Sequence, residues 1–81
     1  MKGSTVHNEA ASRQEQLQRA IGERIREFRS SKGWSQERLG DLCRIHRSHM
    51  GQIENGATNP ELSTLRKIAD ALDIPIASLF S

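Results

Sequence analysis

Three kinds of feature are scarce in this 81-residue chain, and each scarcity removes a class of protein. There is one cysteine, Cys43, so no disulfide can close within the chain, and no Cys/His spacing matches a structural zinc site. The aromatic residues are only Phe28, Trp34 and Phe80, and valine is almost absent. That argues against sheets and leaves helices built on leucine, isoleucine and alanine. No apolar run is long enough to span a membrane and no signal-peptide core follows the start, so a cytoplasmic location is expected. The length suits one domain whose core is thin enough to depend on close helical packing or self-association.

The net charge of +2 says little, but its distribution says more. Between Arg24 and Arg47 stand seven basic residues (Arg24, Arg26, Arg29, Lys32, Arg38, Arg44 and Arg47) against three acidic ones. From Ser48 onward, two basic residues face four acidic ones. A basic half beside an acidic half suits a face for phosphates, although an ordinary solvated surface gives the same count.

Residues 1–11 lack periodicity and are expected to form a mobile arm. A first helix is expected from Ser12, where Ser-Arg-Gln-Glu reads as a capping box. Leu17, Ile21, Ile25 and Phe28 then fall within an arc of roughly 80°. Gly33 is the expected C-cap. Ser35 should cap a short helix from Gln36 to about Cys43, and a third helix should run from Arg47 to about Asn55, stopped by Asn55-Gly56. After the Asn59-Pro60 loop, Leu62, Leu65, Ile68, Ala69 and Leu72 mark one face of a fourth helix, and Ile76 to Phe80 form a short fifth. The expected fold is all-α, with residues 12–81 as one domain.

Within the second and third helices, Leu39, Cys43, Ile45, Met50 and Ile53 supply an inner face, and Gly40 supplies the small residue that two steeply crossing helices need. On the third helix, taking Arg47 as zero, Gly51, Asn55, Ser48 and Gln52 fall at about 40°, 80°, 100° and 140°, with Met50 and Ile53 opposite. A polar face with long donors and acceptors, separated by small residues, is what a helix needs to approach base edges in a major groove.

The chain resembles the Cro/repressor-type helix-turn-helix regulators, also called the XRE family, over about Ile21 to Phe80. The resemblance is carried by Arg29, Gly33, Trp34, Ser35-Gln36, Leu39-Gly40, Met50, Ile53-Glu54, Gly56, Asn59-Pro60 and Leu79-Phe80. It implies a lambda-repressor-like domain of four main helices plus a short C-terminal fifth, in a bacterial or phage-encoded, nucleoid-associated regulator. On that basis Arg47, Ser48 and Gln52 match base-reading positions, and Gln36 and Asn55 match phosphate-holding ones. Arg38 and Arg44 add phosphate attraction, and His46 stands beside them at the cap of the recognition helix. Arg29 and Glu54 match a buried ion pair. Two residues depart from the pattern. Arg44 replaces a turn glycine, which costs about 1 kcal/mol if the backbone is left-handed there. His46 replaces a capping Ser or Thr, so a weaker cap is expected. The run His46 to Gly51 also resembles the controller proteins of restriction-modification systems, members of the same family.

A homodimer on a palindromic or pseudo-palindromic site in double-stranded DNA is expected, because the apolar tail exceeds what one small core needs to cover. Ile74, Ile76, Leu79 and Phe80 either supply the dimer contact or simply close the core. An antitoxin or other protein-interaction module is the alternative, with a toxin or RNA polymerase as candidate partner. Catalysis is not expected, because the chain has no glycine-rich phosphate loop and no nucleophile signature. No cofactor is expected either, and His46 and His49 lack a third ligand for a metal. Cys43 falls on an inward face and reads as core. Trp34 reads as a rim packing residue, with stacking on nucleic acid as the alternative.

Overall fold

A computed structural model describes the backbone from residue 2 and the side chains from residue 12 onward. Its elements are helices α1 (Lys2–Ser31), α2 (Gln36–Cys43), α3 (Arg47–Glu54) and α4 (Leu62–Leu72), then a 3-10 turn at Ile76–Leu79. The arm expected over residues 1–11 lies outside the residues whose side chains are described. Helical backbone runs through Ser12, which is therefore an interior position of α1 and not its N-cap. Nothing in the preceding Glu9-Ala10-Ala11 opposes a helix.

All four helices end in the same way. The chain turns into the left-handed region at Gly33, Arg44, Gly56 and Asp73. At each, the following residue donates back five positions: Trp34 to Arg29, Ile45 to Gly40, Ala57 to Gln52 and Ile74 to Ala69, at 2.8–3.2 Å. This is the Schellman arrangement, which satisfies carbonyls that a helix end leaves open. Arg44, at φ 60° and ψ 43°, bears the strain foreseen for a non-glycine residue in this conformation.

The core gathers Ile21 and Ile25 from α1, Leu39 and Cys43 from α2, Met50 and Ile53 from α3, then Leu65, Ile68, Ala69, Leu72 and Leu79. Two expectations from periodicity fail. Leu17 is 44% exposed and Leu62 is 67% exposed. Leu62 opens α4 and Leu17 lies midway along α1, and both line an open cleft with Pro60 and Phe80. Cys43 is buried, and burial pushes its thiol up to about 11 despite the nearby Lys67 charge, so it stays protonated and inert.

Gly22 and Gly40 let helices approach closely. A Cβ on Gly22 would meet the carbonyl groups of Ile53 and Glu54 at the end of α3, and one on Gly40 would meet the Ile45 carbonyl oxygen. Gly22→Ala should therefore destabilise the domain by about 1–3 kcal/mol through overpacking, although alanine is the better helix former. Urea unfolding of the two proteins measures it; an equal or higher midpoint for the variant would contradict the close crossing.

Candidate nucleic-acid interface

Helix α3 owes its orientation to what its two sides can tolerate. Met50 and Ile53 are buried on the side where α3 packs against α1 and α2, which leaves Arg47, Ser48, Gln52 and Asn55 exposed, with Gly51 half-buried among them. His49, beside Ser48, is exposed as well. The outward arc expected from periodicity is therefore present as a surface.

The cap of α3 is stronger than its histidine suggests. His46 adopts extended backbone, and its Nδ1 accepts from the Ser48 backbone N–H at 3.1 Å. The Ser48 hydroxyl lies 2.8 Å from the same nitrogen. A backbone N–H can only donate, so Nδ1 is unprotonated and the ring proton sits on Nε2, as the donor that remains for a ligand. The imidazole does what a serine or threonine does elsewhere. Helix α2 is capped in the usual manner, with Ser35 Oγ accepting from the Arg38 N–H at 3.0 Å.

The end of α3 is fixed by Glu54, whose side chain is fully buried. Arg29 grips it bidentately through one edge of the guanidinium, Nε to Oε2 at 2.6 Å and Nη2 to Oε1 at 2.9 Å. Arg29 Nη1 also donates to the Trp34 carbonyl at 2.6 Å. Gln36 Nε2 reaches Glu54 Oε1 at 3.1 Å, and Arg26 Nε stands 3.6 Å from the same oxygen. Burial pushes the Glu54 carboxyl up, but hydrogen bonds from Arg29 and Gln36 and the charges of Arg29 and Arg26 outweigh it, so it lies below its ordinary value. The hydrogen bond to Glu54 raises Arg29 in turn.

Two residues matched to phosphate contacts are thus engaged inside the protein. The Gln36 carboxamide serves Glu54, which leaves the first amides of α2, unpaired within the helix, as the groups free for a ligand. Asn55 Oδ1 accepts from Arg26 Nη2 at 2.8 Å. Arg26 was not among the residues expected at the site. The signal was present, because it lies three residues before Arg29 on one face of α1. Arg38 and Arg44 are exposed on α2 and its terminal turn. Among the described residues no three potential ligands gather around His46 and His49 to hold a metal. Of the dimer set, Leu79 is fully buried beneath α1 and α4, so it closes the core and has no surface to offer a second copy. Ile74 and Ile76 are partly buried against the core, and Phe80 is 48% exposed.

Comparison with known proteins fits this geometry. Residues 25–79 match the model of the HTH_3 family, described as helix-turn-helix. The chain belongs to that family. The transcriptional regulator SutR of Escherichia coli K12 is 33% identical over 67 residues, which cover 83% of this chain and 38% of SutR. The chain also spans only about half the length of several other curated regulators it matches. The restriction-modification controller protein C.AhdI from Aeromonas hydrophila superposes with a TM-score of 0.75 at 44% identity, over 76% of this chain and 94% of that one. SinR, the master regulator for biofilm formation, solved in complex with DNA, gives 0.71 at 32% identity, over 75% and 98%. Members of this helix-turn-helix family are transcriptional regulators and not enzymes.

A carboxyl depressed by folding stabilises the domain above the unfolded value of about 4.3 and loses that contribution as pH falls through the folded value. Urea midpoints between pH 7 and pH 2.5 should therefore fall on the acid side. Glu54→Gln should be less stable at pH 7 and should show a flatter acid limb. A variant limb as steep as the parent's would remove Glu54 from the account.

Proposed function

We propose that this domain binds double-stranded DNA sequence-specifically as a transcriptional regulator, with α3 in the major groove. The observation that carries the reading is the exposed arc of Arg47, Ser48 and Gln52 on a helix whose other side is wholly buried. Arg47 and Gln52 offer the long donors and acceptors that base edges require, and half-buried Gly51 between them lets the helix lie close. Arg38, Arg44 and Arg47 attract phosphates, His46 presents its Nε2–H at the mouth of the groove, and the amides at the start of α2 hold a phosphate in register. The relation to SinR, a protein solved on DNA, supports the same ligand. Binding of this kind would place the protein on the nucleoid.

The same reading takes the protein as a homodimer on a palindromic operator, with recognition helices about 34–36 Å apart. Exposed Leu17, Leu62 and Phe80 around one cleft are the apolar surface a second copy would cover. Ile74 and Ile76 flank it in sequence but are turned partly inward.

Selection of bound sequences from a random duplex pool tests the DNA reading, and enrichment of a two-fold symmetric site is the expected result. Failure to enrich any sequence would favour a protein-binding module, such as an antitoxin, with the apolar cleft as its contact. On the enriched site, Gln52→Ala should cost about 1–3 kcal/mol and should matter little on random duplex. Sedimentation should show a dimer that Phe80→Glu dissociates; a monomer at high concentration, with and without DNA, would contradict the dimer.

A further inference from the structure

Most of the arginines paired with described residues have a carboxylate: Arg24 pairs with Glu27, Arg26 and Arg29 with Glu54, and Arg66 with Asp70. Lys32 and Arg38 do not. Both are exposed, neither has a carboxylate partner among the described residues, and both are drawn to the same ring. Lys32 Nζ lies 5.3 Å from the Trp34 ring centroid and the Arg38 guanidinium carbon 6.0 Å from it. An aromatic face attracts a cation, but gathering two like charges on one ring without a counter-ion leaves them repelling one another. An arriving anion relieves that repulsion.

The ring is partly buried against the core, and the backbone beneath it is fixed: the Trp34 backbone N–H donates to the Arg29 carbonyl at 3.2 Å, and the Trp34 carbonyl accepts from Arg29 Nη1. Arg29 in turn grips Glu54 at the end of α3, so the corner between α1 and α2 is registered to the recognition helix. It is also adjacent to the recognition face. Gln36, two residues after Trp34, places its Oε1 3.3 Å from where a Cβ on Gly51 would be, and Gly51 lies within the outward arc beside Arg47.

We infer that Lys32 and Arg38 form a second phosphate-binding site, for the DNA backbone flanking the groove that α3 enters, and that Trp34 is the positioning residue that holds both cations toward it. The inference rests on the DNA reading above and extends the contact beyond α2 and α3 to the end of α1. The ligand is the phosphodiester and not a base, because duplex DNA keeps its bases stacked while its phosphates line the edge of the groove. Lys32 and Arg38 therefore add affinity without adding sequence preference.

The test is the salt dependence of binding, followed by fluorescence anisotropy on the enriched duplex and on a random duplex. Each of Lys32→Gln and Arg38→Gln should lower the slope of log affinity against log salt by about 0.9, and the double variant by about twice that. The affinity loss should be the same on both duplexes. Trp34→Leu keeps both charges but frees them, and should weaken binding to both duplexes alike. Trp34→Phe, which retains a ring with a weaker face, should fall between. Circular dichroism and thermal unfolding confirm that Lys32→Gln and Arg38→Gln remain folded. A double variant with the parent's slope, in a protein whose binding is salt-dependent and whose Gln52→Ala variant loses preference, overturns this site alone. A parent chain that binds neither duplex overturns the DNA reading itself.

Discussion

The structure depends on one buried carboxylate. Glu54 stands in the last turn of α3 with its side chain out of solvent, where an unpaired charge is not tolerated. It can lie there only if donors arrive from elsewhere. They come from α1, through Arg29 and Arg26, and from α2, through Gln36. Three helices therefore converge on one functional group, and the direction of α3 is set by that convergence. Desolvation offsets much of the attraction in such a pair, so its value lies more in fixed orientation than in net stability. Under the proposed docking of α3 on DNA, orientation is what matters.

Close approach is the second condition, and it is met at Gly22, where α1 passes the final carbonyls of α3, and at Gly40, where α2 meets the turn that follows it. With those contacts made, Met50 and Ile53 have no alternative to the core, and the polar residues of α3 have none to the surface. The polar outward face of α3 is thus a consequence of packing on the other side. The turns serve the same end. Four left-handed termini reverse the chain within a few residues, and at Arg44 and Asp73 the fold accepts this conformation without glycine.

Much of this was legible in the residues. Helix positions followed from periodicity and caps: Ser35 caps α2, Gly33 and Gly56 end their helices, and the short terminal helix is there as a 3-10 turn. The Arg29–Glu54 pair was legible only through resemblance to a family, since nothing in the spacing of residues 25 apart says that they meet. Arg26 was missed because it was read as surface charge. Histidine at the cap of α3 was read as a weakness because the usual ranking of caps concerns hydroxyls and carboxylates, while an unprotonated Nδ1 accepts as they do.

What the sequence determined by itself was which side of α3 faces in and which faces out, and where each helix begins and ends after Ser12. Those are local properties, set by a repeat of about 3.6 residues and by capping groups next to the helix. The tertiary structure alone decided that Gln36 and Asn55 turn their side chains to partners within the protein, that Leu79 closes the core, and that Leu17 and Leu62 stay open to solvent. It also decided that Lys32 and Arg38 share one ring. These outcomes turn on which elements meet and where they run out. No window of sequence contains that information, because the neighbours that settle each case lie on other helices.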